Sequence, residues 1–256
     1  MEEKSDTLPV CPLHFLIIGA GRGGTSLLAG LLDYHSKLEV GFEMFSTKYL
    51  MGRSLFHTLV HSKKKLIYHR TTAFRKACIH ESKKFPGKLW GNKITTEQIY
   101  GLEDHNLANP DQKVDIIDFF FRNSMPDIRI VFILRDGRTC VRSKVNRTGQ
   151  SVEIACLRWK FSVQVYRYLR EFHNNNITVK FEDLLNNPRF VLEDICTFLG
   201  VSFEEKMLMG TTNKKMLPEY RSDTFNQPKQ TLEDIPEKYC SMIQDELRYC
   251  GYLISE

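Results

Sequence analysis

The sequence contains no long apolar run, and this absence argues against a membrane-spanning segment. No uninterrupted apolar stretch approaches the roughly 18 residues that a spanning helix needs. The first residues, Met-Glu-Glu-Lys-Ser-Asp, are acidic where a secretory signal would be basic. We therefore expect no membrane partner and a cytoplasmic location.

Paired cysteines are also absent. The chain has seven cysteines, an odd number, and they show neither CxxC spacing nor a cluster with histidine. This distribution is typical of reduced thiols in a cytosolic protein and gives no indication of a zinc site. We expect no metal cofactor.

The length and composition fit one large α/β domain. The chain has 256 residues, of which 42% are hydrophobic and 26% charged, as in a soluble globular protein with a well-buried core. It has no internal repeats or low-complexity tracts. We expect a single domain over residues 1–256, in which residues 1–12 form a flexible N-terminus.

The net charge of +5 is unevenly distributed. Residues 61–93 contain ten lysines and arginines and a single acid, Glu81. Such a segment can raise the local concentration of an anionic ligand. Its aromatic residues do not alternate with the cations as a base-stacking surface would require, so we expect no nucleic-acid partner.

Apolar runs and helical periodicity alternate along the chain. The patterns predict strands at Phe15–Ile18, Ile128–Leu134 and Ile177–Phe181, and helices at Asp111–Asn123, Val152–Phe172, Arg189–Leu199 and Glu233–Tyr249. This order predicts an α/β fold with a central parallel sheet flanked by helices. Residues 44–93 are the least regular part, and we expect them to form a helical cap or a mobile substrate segment.

A glycine-rich loop follows the first predicted strand. Residues 16–26 read Leu-Ile-Ile-Gly-Ala-Gly-Arg-Gly-Gly-Thr-Ser, and a helical stretch, Leu27–Tyr34, comes directly after them. A strand, a glycine loop and a helix N-terminus form an anion site, because backbone N–H groups and the positive end of the helix dipole point at one spot. The segment therefore predicts a ligand that carries phosphate.

One interpretation of this loop is a dinucleotide site. Gly19, Gly21 and Gly24 fit the G-x-G-x-x-G fingerprint. Glu39 and Glu43 lie about 20 residues further on, where that fingerprint has its ribose-binding acid. This interpretation predicts a Rossmann-type oxidoreductase that uses NAD(P).

Two other interpretations compete with it. Gly19 and Gly24 have the spacing of a nucleoside-triphosphate loop, but Thr25 occupies the position of its essential lysine. The third interpretation takes Arg22-Gly-Gly-Thr-Ser26 as the unit, in which a cation and two hydroxyl groups hold a phosphate without a metal. From the loop alone, the dinucleotide interpretation and the third interpretation are about equally well supported.

A second strand, loop and helix adds further cations. Residues 130–147 read Ile-Val-Phe-Ile-Leu-Arg-Asp-Gly-Arg-Thr-Cys-Val-Arg-Ser-Lys-Val-Asn-Arg. Arg135 lies at the carboxyl end of the strand, where α/β sheets bind ligands. Ser143 and Arg147 are four residues apart and share one helix face. Two fixed cations and a hydroxyl suit a second phosphate, for which a nicotinamide enzyme has no use at this position.

Two phosphate sites and a cation within the first loop resemble the sulfotransferases that use 3′-phosphoadenosine 5′-phosphosulfate (PAPS). Arg22–Ser26 is similar to their 5′-phosphosulfate loop, and the second set is similar to their 3′-phosphate site. Leu134–Arg138 and Leu31-Leu-Asp-Tyr-His35 are nearest to the branch of tyrosylprotein and many bacterial enzymes. The resemblance covers most of residues 15–255 and implies a P-loop-like fold.

The resemblance also implies which residues bind the nucleotide. Arg22 would contact the bridging and sulfuryl oxygens, and backbone N–H groups with two hydroxyls would hold the 5′-phosphate. Phe181 sits where an aromatic residue contacts the adenosine, and Lys229 is a candidate to close over the nucleotide. The full implied set is Arg22, Gly23, Gly24, Thr25, Ser26, Arg135, Ser143, Arg147, Phe181, Ser222 and Lys229.

Arg22, Glu43, Lys93 and Ser222 are the implied catalytic residues. Glu43 corresponds to the family's carboxylate base, although Phe42 replaces a second acid. Lys93, in Leu-Trp-Gly-Asn-Lys-Ile-Thr, resembles a lysine that stabilises transition-state charge, and Ser222 a serine near the sulfuryl group. Histidine is the base in the small-molecule cytosolic branch, and that alternative stays open through His35, His57, His61, His69, His80 and His105.

These implications predict a sulfotransferase with PAPS as donor and adenosine 3′,5′-bisphosphate (PAP) as product. The expected acceptor is a hydroxyl or amine of a small molecule, such as a natural product or toxin. A carbohydrate is the alternative acceptor, and residues 61–93 would then form part of its groove. A Rossmann oxidoreductase and a non-catalytic nucleotide-binding domain are the alternatives from other classes. The oligomeric state, monomer or homodimer, stays open.

Overall fold

A parallel five-stranded sheet forms the centre of the protein in a computed structural model, which describes residues 13–52, 67–223, 225 and 237–253. The strands β1 to β5 are Phe15–Gly19, Leu38–Phe42, Leu89–Thr95, Arg129–Leu134 and Asn176–Lys180. Their spatial order is β2-β3-β1-β4-β5, and every neighbouring pair is parallel. All five carboxyl ends therefore meet at one edge.

Helices connect and cover these strands. Within the described residues, α1 to α12 are Thr25–Asp33, Ser46–Tyr49, Ile67–Ser82, Thr96–Tyr100, Asp104–Ala108, Ile116–Asp118, Gly137–Thr148, Val152–Phe172, Phe181–Asn186, Pro188–Leu199, Glu237–Ser241 and Gln244–Tyr249. Shorter 3₁₀ turns lie at Gly101–Glu103, Pro110–Gln112, Glu205–Thr212 and Pro218–Tyr220, and a π-helical turn at Phe119–Ser124. No helix of the described part is both long and apolar enough to traverse a lipid bilayer.

The sheet is buried on both faces. Successive side chains of a strand point to opposite sides. Leu16 and Ile18 of β1 therefore join the core on the side of α3 and α8, while Phe15 and Ile17 join the core on the side of α1 and α10. This two-sided burial explains why β1 and β4 are continuous apolar runs in the sequence.

Several predicted elements are confirmed. β1, β4 and β5 lie within one residue of the predicted bounds, and α8 has the predicted bounds. Helix α10 ends at Leu199, and Gly200 follows it with a φ of 78°, the left-handed conformation that favours glycine as a C-cap. The predicted fold class, an α/β protein with a central parallel sheet, is confirmed.

Two predicted helices are wrong as single elements. The segment Asp111–Asn123 begins in a 3₁₀ turn, and α6 starts anew because the Asp115 carboxylate accepts hydrogen bonds from the N–H groups of Ile117 and Asp118. The described part of Glu233–Tyr249 is divided between α11 and α12.

The irregular segment 44–93 contains α2 and α3, and its last residues belong to β3. The sequence patterns did not predict β2 or β3. Residues 53–66 of this segment, like the N-terminal residues 1–12, lie outside the described residues.

Candidate functional site

A cleft of about 510 Å³ opens at the carboxyl edge of the sheet. The loop between β1 and α1, the ends of β2, β3 and β4, the start of α9 and residues 215–220 contribute to its walls. Its lining residues are Gly21, Arg22, Gly24, Thr25, Ser26, Leu27, Phe42, Glu43, Lys93, Thr95, Arg135, Arg147, Phe181, Lys215, Met216, Leu217, Glu219 and Tyr220. Most residues of the predicted phosphate and catalytic sets therefore share one cleft.

The β1–α1 loop turns sharply at Arg22 and Gly24. Arg22 has a φ of 71° and Gly24 a φ of 96°, both in the left-handed region. A Cβ atom on Gly24 would lie 2.2 Å from a ring carbon of Phe181. Glycine is required at position 24 both for its backbone conformation and for the close approach of this ring.

The backbone donors of the loop are not all available to a ligand. The N–H group of Gly21 donates to Glu97 Oε2 at 2.8 Å, and that of Gly23 donates to the Ala20 carbonyl at 2.8 Å. No side chain caps α1. The N–H of Gly23 is therefore already bonded within the loop, and its predicted phosphate contact, like those of Thr25 and Ser26 at the start of α1, stays a prediction.

Arg22 connects the two predicted phosphate sites. Its Nε donates to Ser143 Oγ at 3.2 Å, and its carbonyl accepts a hydrogen bond of 2.8 Å from Arg135 Nη1. The guanidinium carbon of Arg22 lies 4.6 Å from the ring centre of Tyr220, a distance that allows a cation–π contact. The two strand–loop–helix segments therefore form one cationic wall.

Arg135 is held in place from several sides. Its guanidinium lies 4.5 Å from the ring centre of Phe181, and its Nε donates to Thr139 Oγ1 at 3.1 Å. Burial and the neighbouring cation of Arg22 both lower the pKa of Arg135, although nearby acidic groups oppose them. A bound anion would compensate the burial of this charge.

The guanidinium groups of the cleft have no acidic partner within the described residues. None of Arg22, Arg135 and Arg147 forms an ion pair with a carboxylate there. Arg147 is exposed and lies one turn after Ser143 on α7. None of the three is paired with a carboxylate among the described residues, although Glu43 and Glu219 also line the cleft, so the three cations are suited to an anionic ligand.

Glu43 and Lys93 form an ion pair at the ends of β2 and β3. Lys93 Nζ lies 2.5 Å from Glu43 Oε1, and the lysine side chain is only 5% exposed. Gln98 Nε2 donates to the other carboxylate oxygen, Oε2, at 2.9 Å. Glu43 has a φ of 56°, a left-handed conformation in which its N–H donates to the Lys93 carbonyl at 2.7 Å. The predicted base and lysine are thus brought together.

Lys215 anchors residues 215–220, which include Tyr220, to α1 and β2. Its Nζ lies 2.7 Å from Asp33 Oδ1 and 2.6 Å from Glu39 Oε1. Glu39 also pairs with Lys88 at 2.9 Å. Although burial raises the pKa of the Glu39 carboxyl, hydrogen bonds from these two lysines bring the net pKa below its usual value. Glu39 does not line the cleft, so it is not placed to bind a ribose there.

Three predicted residues that the structure describes are absent from the cleft lining, namely Gly23, Ser143 and Ser222. Ser143 still contacts the lining residue Arg22, whereas the N–H of Ser222 donates to the Thr211 carbonyl at 3.0 Å. Lys229 lies outside the described residues.

The histidine alternative gains no support from the described residues, since no histidine among them lines the cleft. His35 is buried, and its Nδ1 accepts from the Lys37 N–H at 3.0 Å while Nε2 lies 2.7 Å from the Ser202 carbonyl. His57 and His61 lie outside the described part of the chain.

Sequence reasoning missed Glu97, Gln98, Lys215 and Tyr220. Thr95 and Gln98 form a capping box, and the Thr-x-x-Gln pattern is a sequence signature that could have located α4 and its Gln98. Nothing local marks Lys215 or Tyr220, because their partners lie far away in the sequence. Within the described residues, no cluster of histidine, cysteine or acidic side chains could hold a metal ion.

Comparisons with known proteins agree with this geometry. A model of the sulfotransferase family matches residues 14–205. The sulfotransferase domain from the Synechococcus PCC 7002 olefin synthase is 18% identical, with a TM-score of 0.65 over 94% of this chain and 95% of that one. The sulfotransferase domain from the curacin biosynthetic pathway is 15% identical, with a TM-score of 0.59 over 95% of this chain and 99% of that one. No curated protein matched the sequence.

Proposed function

Because the chain belongs to the sulfotransferase family, we propose that it transfers the sulfuryl group of PAPS to a hydroxyl or amine of a small molecule. The observation that carries the proposal is that three guanidinium groups and the Glu43–Lys93 pair line one cleft. The cations suit a donor with two separate phosphate groups, and the ion pair suits proton removal from an acceptor.

The residues of the cleft fit PAPS by their donor chemistry. Gly24 and the start of α1 provide a cradle in which a side chain at position 24 would already collide with Phe181. We assign the 5′-phosphosulfate to this cradle, together with Thr25, Ser26 and Arg22. The 3′-phosphate is assigned to a site formed by Arg135, Ser143 and Arg147, with Phe181 beside the adenosine.

Bound in this way, PAPS supplies the sulfuryl group, and PAP is the product. Arg22 would neutralise the charge that accumulates at the leaving phosphate. Lys93 would stabilise charge at the reacting end of the cleft, because its ammonium group is buried beside Glu43. Ser222 and Lys229 remain expected contributors on the resemblance alone.

Glu43 is the proposed base. Its carboxylate is 40% exposed and lines the cleft, so it can reach an acceptor that enters from solvent. Its two oxygens accept hydrogen bonds from Lys93 and Gln98, and each oxygen keeps a lone pair for the proton of the acceptor hydroxyl or amine.

The cleft favours a small acceptor over a carbohydrate. Phe42, Met216 and Leu217 give it an apolar side near Glu43. A carbohydrate groove was expected to include the basic residues 61–93, but Lys93 alone among their described members lines the cleft. The proposed setting is a single cytoplasmic domain that acts without a metal and without a nucleic-acid or membrane partner.

Titration calorimetry with PAP and with NAD tests the ligand class. We expect PAP to bind and NAD not to bind. Tight binding of NAD without PAP would contradict the proposal and restore the oxidoreductase alternative. PAP binding without any sulfation would instead indicate a non-catalytic nucleotide-binding domain.

Mass spectrometry with PAPS and a panel of alcohols and amines then tests transfer, through the mass gain of one SO₃ group. We expect the transfer to persist in EDTA. Complete loss of activity on chelation would bring back the metal-dependent triphosphate loop.

A further inference from the structure

Gln98 forms a buried link between the start of α4 and Glu43. Its side chain is buried, its Nε2 donates to Glu43 Oε2 at 2.9 Å, and its Oε1 accepts from the N–H of Thr95 at 3.0 Å. We propose that Gln98 is a positioning residue that holds the carboxylate of Glu43 in its orientation towards the cleft. The inference rests on the proposed function, since it assigns a role to Gln98 through the base of that reaction.

The orientation of the Gln98 amide is set by the backbone. The N–H of Thr95 can only donate, so the oxygen of the amide must face it. The amide nitrogen must then face Glu43. An amide nitrogen donates and does not accept, so it bonds to a lone pair of Glu43 Oε2. The capping box of α4 therefore fixes which end of the amide meets the carboxylate.

Gln98 and Lys93 act on different oxygens. Lys93 Nζ is bound to Oε1, and Gln98 Nε2 is bound to Oε2. Two donors from two different elements fix the plane of the carboxylate more firmly than one flexible ammonium group could. The left-handed backbone of Glu43 adds a further constraint, because its N–H is bound to the Lys93 carbonyl.

The neighbouring charges do not duplicate the role of Gln98. Glu97, the adjacent residue, is directed to the Gly21 N–H and to Lys144. Arg22, Arg147 and Lys215 line the same cleft, but no described hydrogen bond joins any of them to Glu43. One turn of α4 thus contacts the phosphate loop through Glu97 and the base through Gln98.

Gln98→Met tests the proposal, because methionine retains the length of the side chain and removes the donor. We expect kcat to fall about tenfold, as expected when a carboxylate loses a charged hydrogen bond. The loss should fall on kcat and leave the KM of the acceptor within about twofold, because Gln98 orients the base and is not placed to touch the acceptor. PAP affinity should stay within about twofold, since Gln98 does not line the cleft. Gln112→Met, at an exposed position in the Pro110–Gln112 turn, is the matched control.

Gln98→Glu separates positioning from capping. The substituted carboxylate can still accept from the Thr95 N–H, so a residue that only caps α4 predicts a nearly unchanged kcat. The proposed role instead predicts a fall in kcat at least as large as that of Gln98→Met, because two carboxylates would then face each other. An unchanged kcat in both variants would overturn the inference while wild-type sulfation left the proposed function intact. Absence of PAP binding and sulfation in the wild type would contradict the proposed function itself.

Discussion

Arg22 Nε donates a hydrogen bond of 3.2 Å to Ser143 Oγ, and this contact joins the first phosphate loop to helix α7. The sequence analysis assigned the two residues to separate phosphate sites. Their contact makes those sites two parts of one wall, which Arg135 extends by donating to the Arg22 carbonyl. We therefore expect a ligand that contacts Arg22 at the predicted 5′-phosphosulfate site to affect Ser143 at the predicted 3′-phosphate site as well.

Arg147→Ala should weaken PAP binding by about 1.5–3 kcal/mol, the value of a hydrogen bond to a charged group. Arg147 is exposed on α7 and lines the cleft, so its removal leaves the core intact. Titration calorimetry measures the change. Arg122→Ala is the matched control, because Arg122 is an exposed arginine that does not line the cleft. An unchanged affinity in Arg147→Ala would rule out the 3′-phosphate role.

Glu43→Gln should lower turnover by roughly 10² or more, because the amide cannot take the proton of the acceptor. PAP affinity should stay nearly unchanged, since Glu43 is bound to Lys93 and Gln98 and is assigned to the acceptor rather than to the phosphates. Steady-state kinetics and calorimetry on the same preparation separate the two effects. Glu193→Gln, on the exposed surface of α10, is the control. If Glu43→Gln retains turnover, another group is the base.

Gly24→Ala and Gly149→Ala should differ in stability, although both glycines have a positive φ, 96° and 66°. The left-handed conformation costs an alanine about 1–2 kcal/mol at either position. At position 24 the new methyl group would also collide with Phe181, whereas nothing lies within 4 Å of a Cβ at position 149. We expect Gly24→Ala to lose a further 1–3 kcal/mol, roughly the penalty of overpacking, in thermal unfolding. Equal losses of stability in the two variants would show that the Phe181 ring moves aside without strain.

Glu204→Gln should destabilise the protein at neutral pH and progressively less in acid. Hydrogen bonds from Ser36, together with those from Lys206, lower the pKa of Glu204 to about 2. A carboxylate with a lowered folded pKa stabilises the fold above its unfolded pKa, and that contribution is lost as the pH falls from about 4.5 towards 2. The effect should stay below about 1 kcal/mol because the site is largely solvated. Unfolding of both proteins at pH 7 and pH 3 measures it, and a constant difference would contradict the assignment.

The apolar pattern of the sequence was sufficient to locate three elements. β1 and β4 are unbroken apolar runs, and α8 has a regular apolar face. β2 and β3 were missed because charged and polar residues interrupt them. Lys93 is buried in β3 through its pairing with Glu43 at the end of a neighbouring strand, a compensation that only the folded sheet reveals.

The site was predicted where its residues belong to a motif and missed where they do not. The two loops predicted Arg22, Arg135 and Arg147 as phosphate-binding residues; all three line one cleft, and their binding role stays a prediction. The hydrogen bond from the Gly23 N–H to the Ala20 carbonyl depends on the backbone conformation of the turn, which the spacing of the glycines does not specify. Tyr220 reaches Arg22 from a segment about 200 residues away, and no pattern near either residue signals that contact.

Arg22 and Glu43 are both non-glycine residues in the left-handed region of backbone space. Glycine at either position would relieve about 1 kcal/mol of backbone strain. At position 43 it would also leave the buried ammonium group of Lys93 without its carboxylate, which costs more than the strain that is relieved. The strained backbone at position 43 is therefore retained by the ion pair it supports, and a more stable variant is better sought away from these two positions.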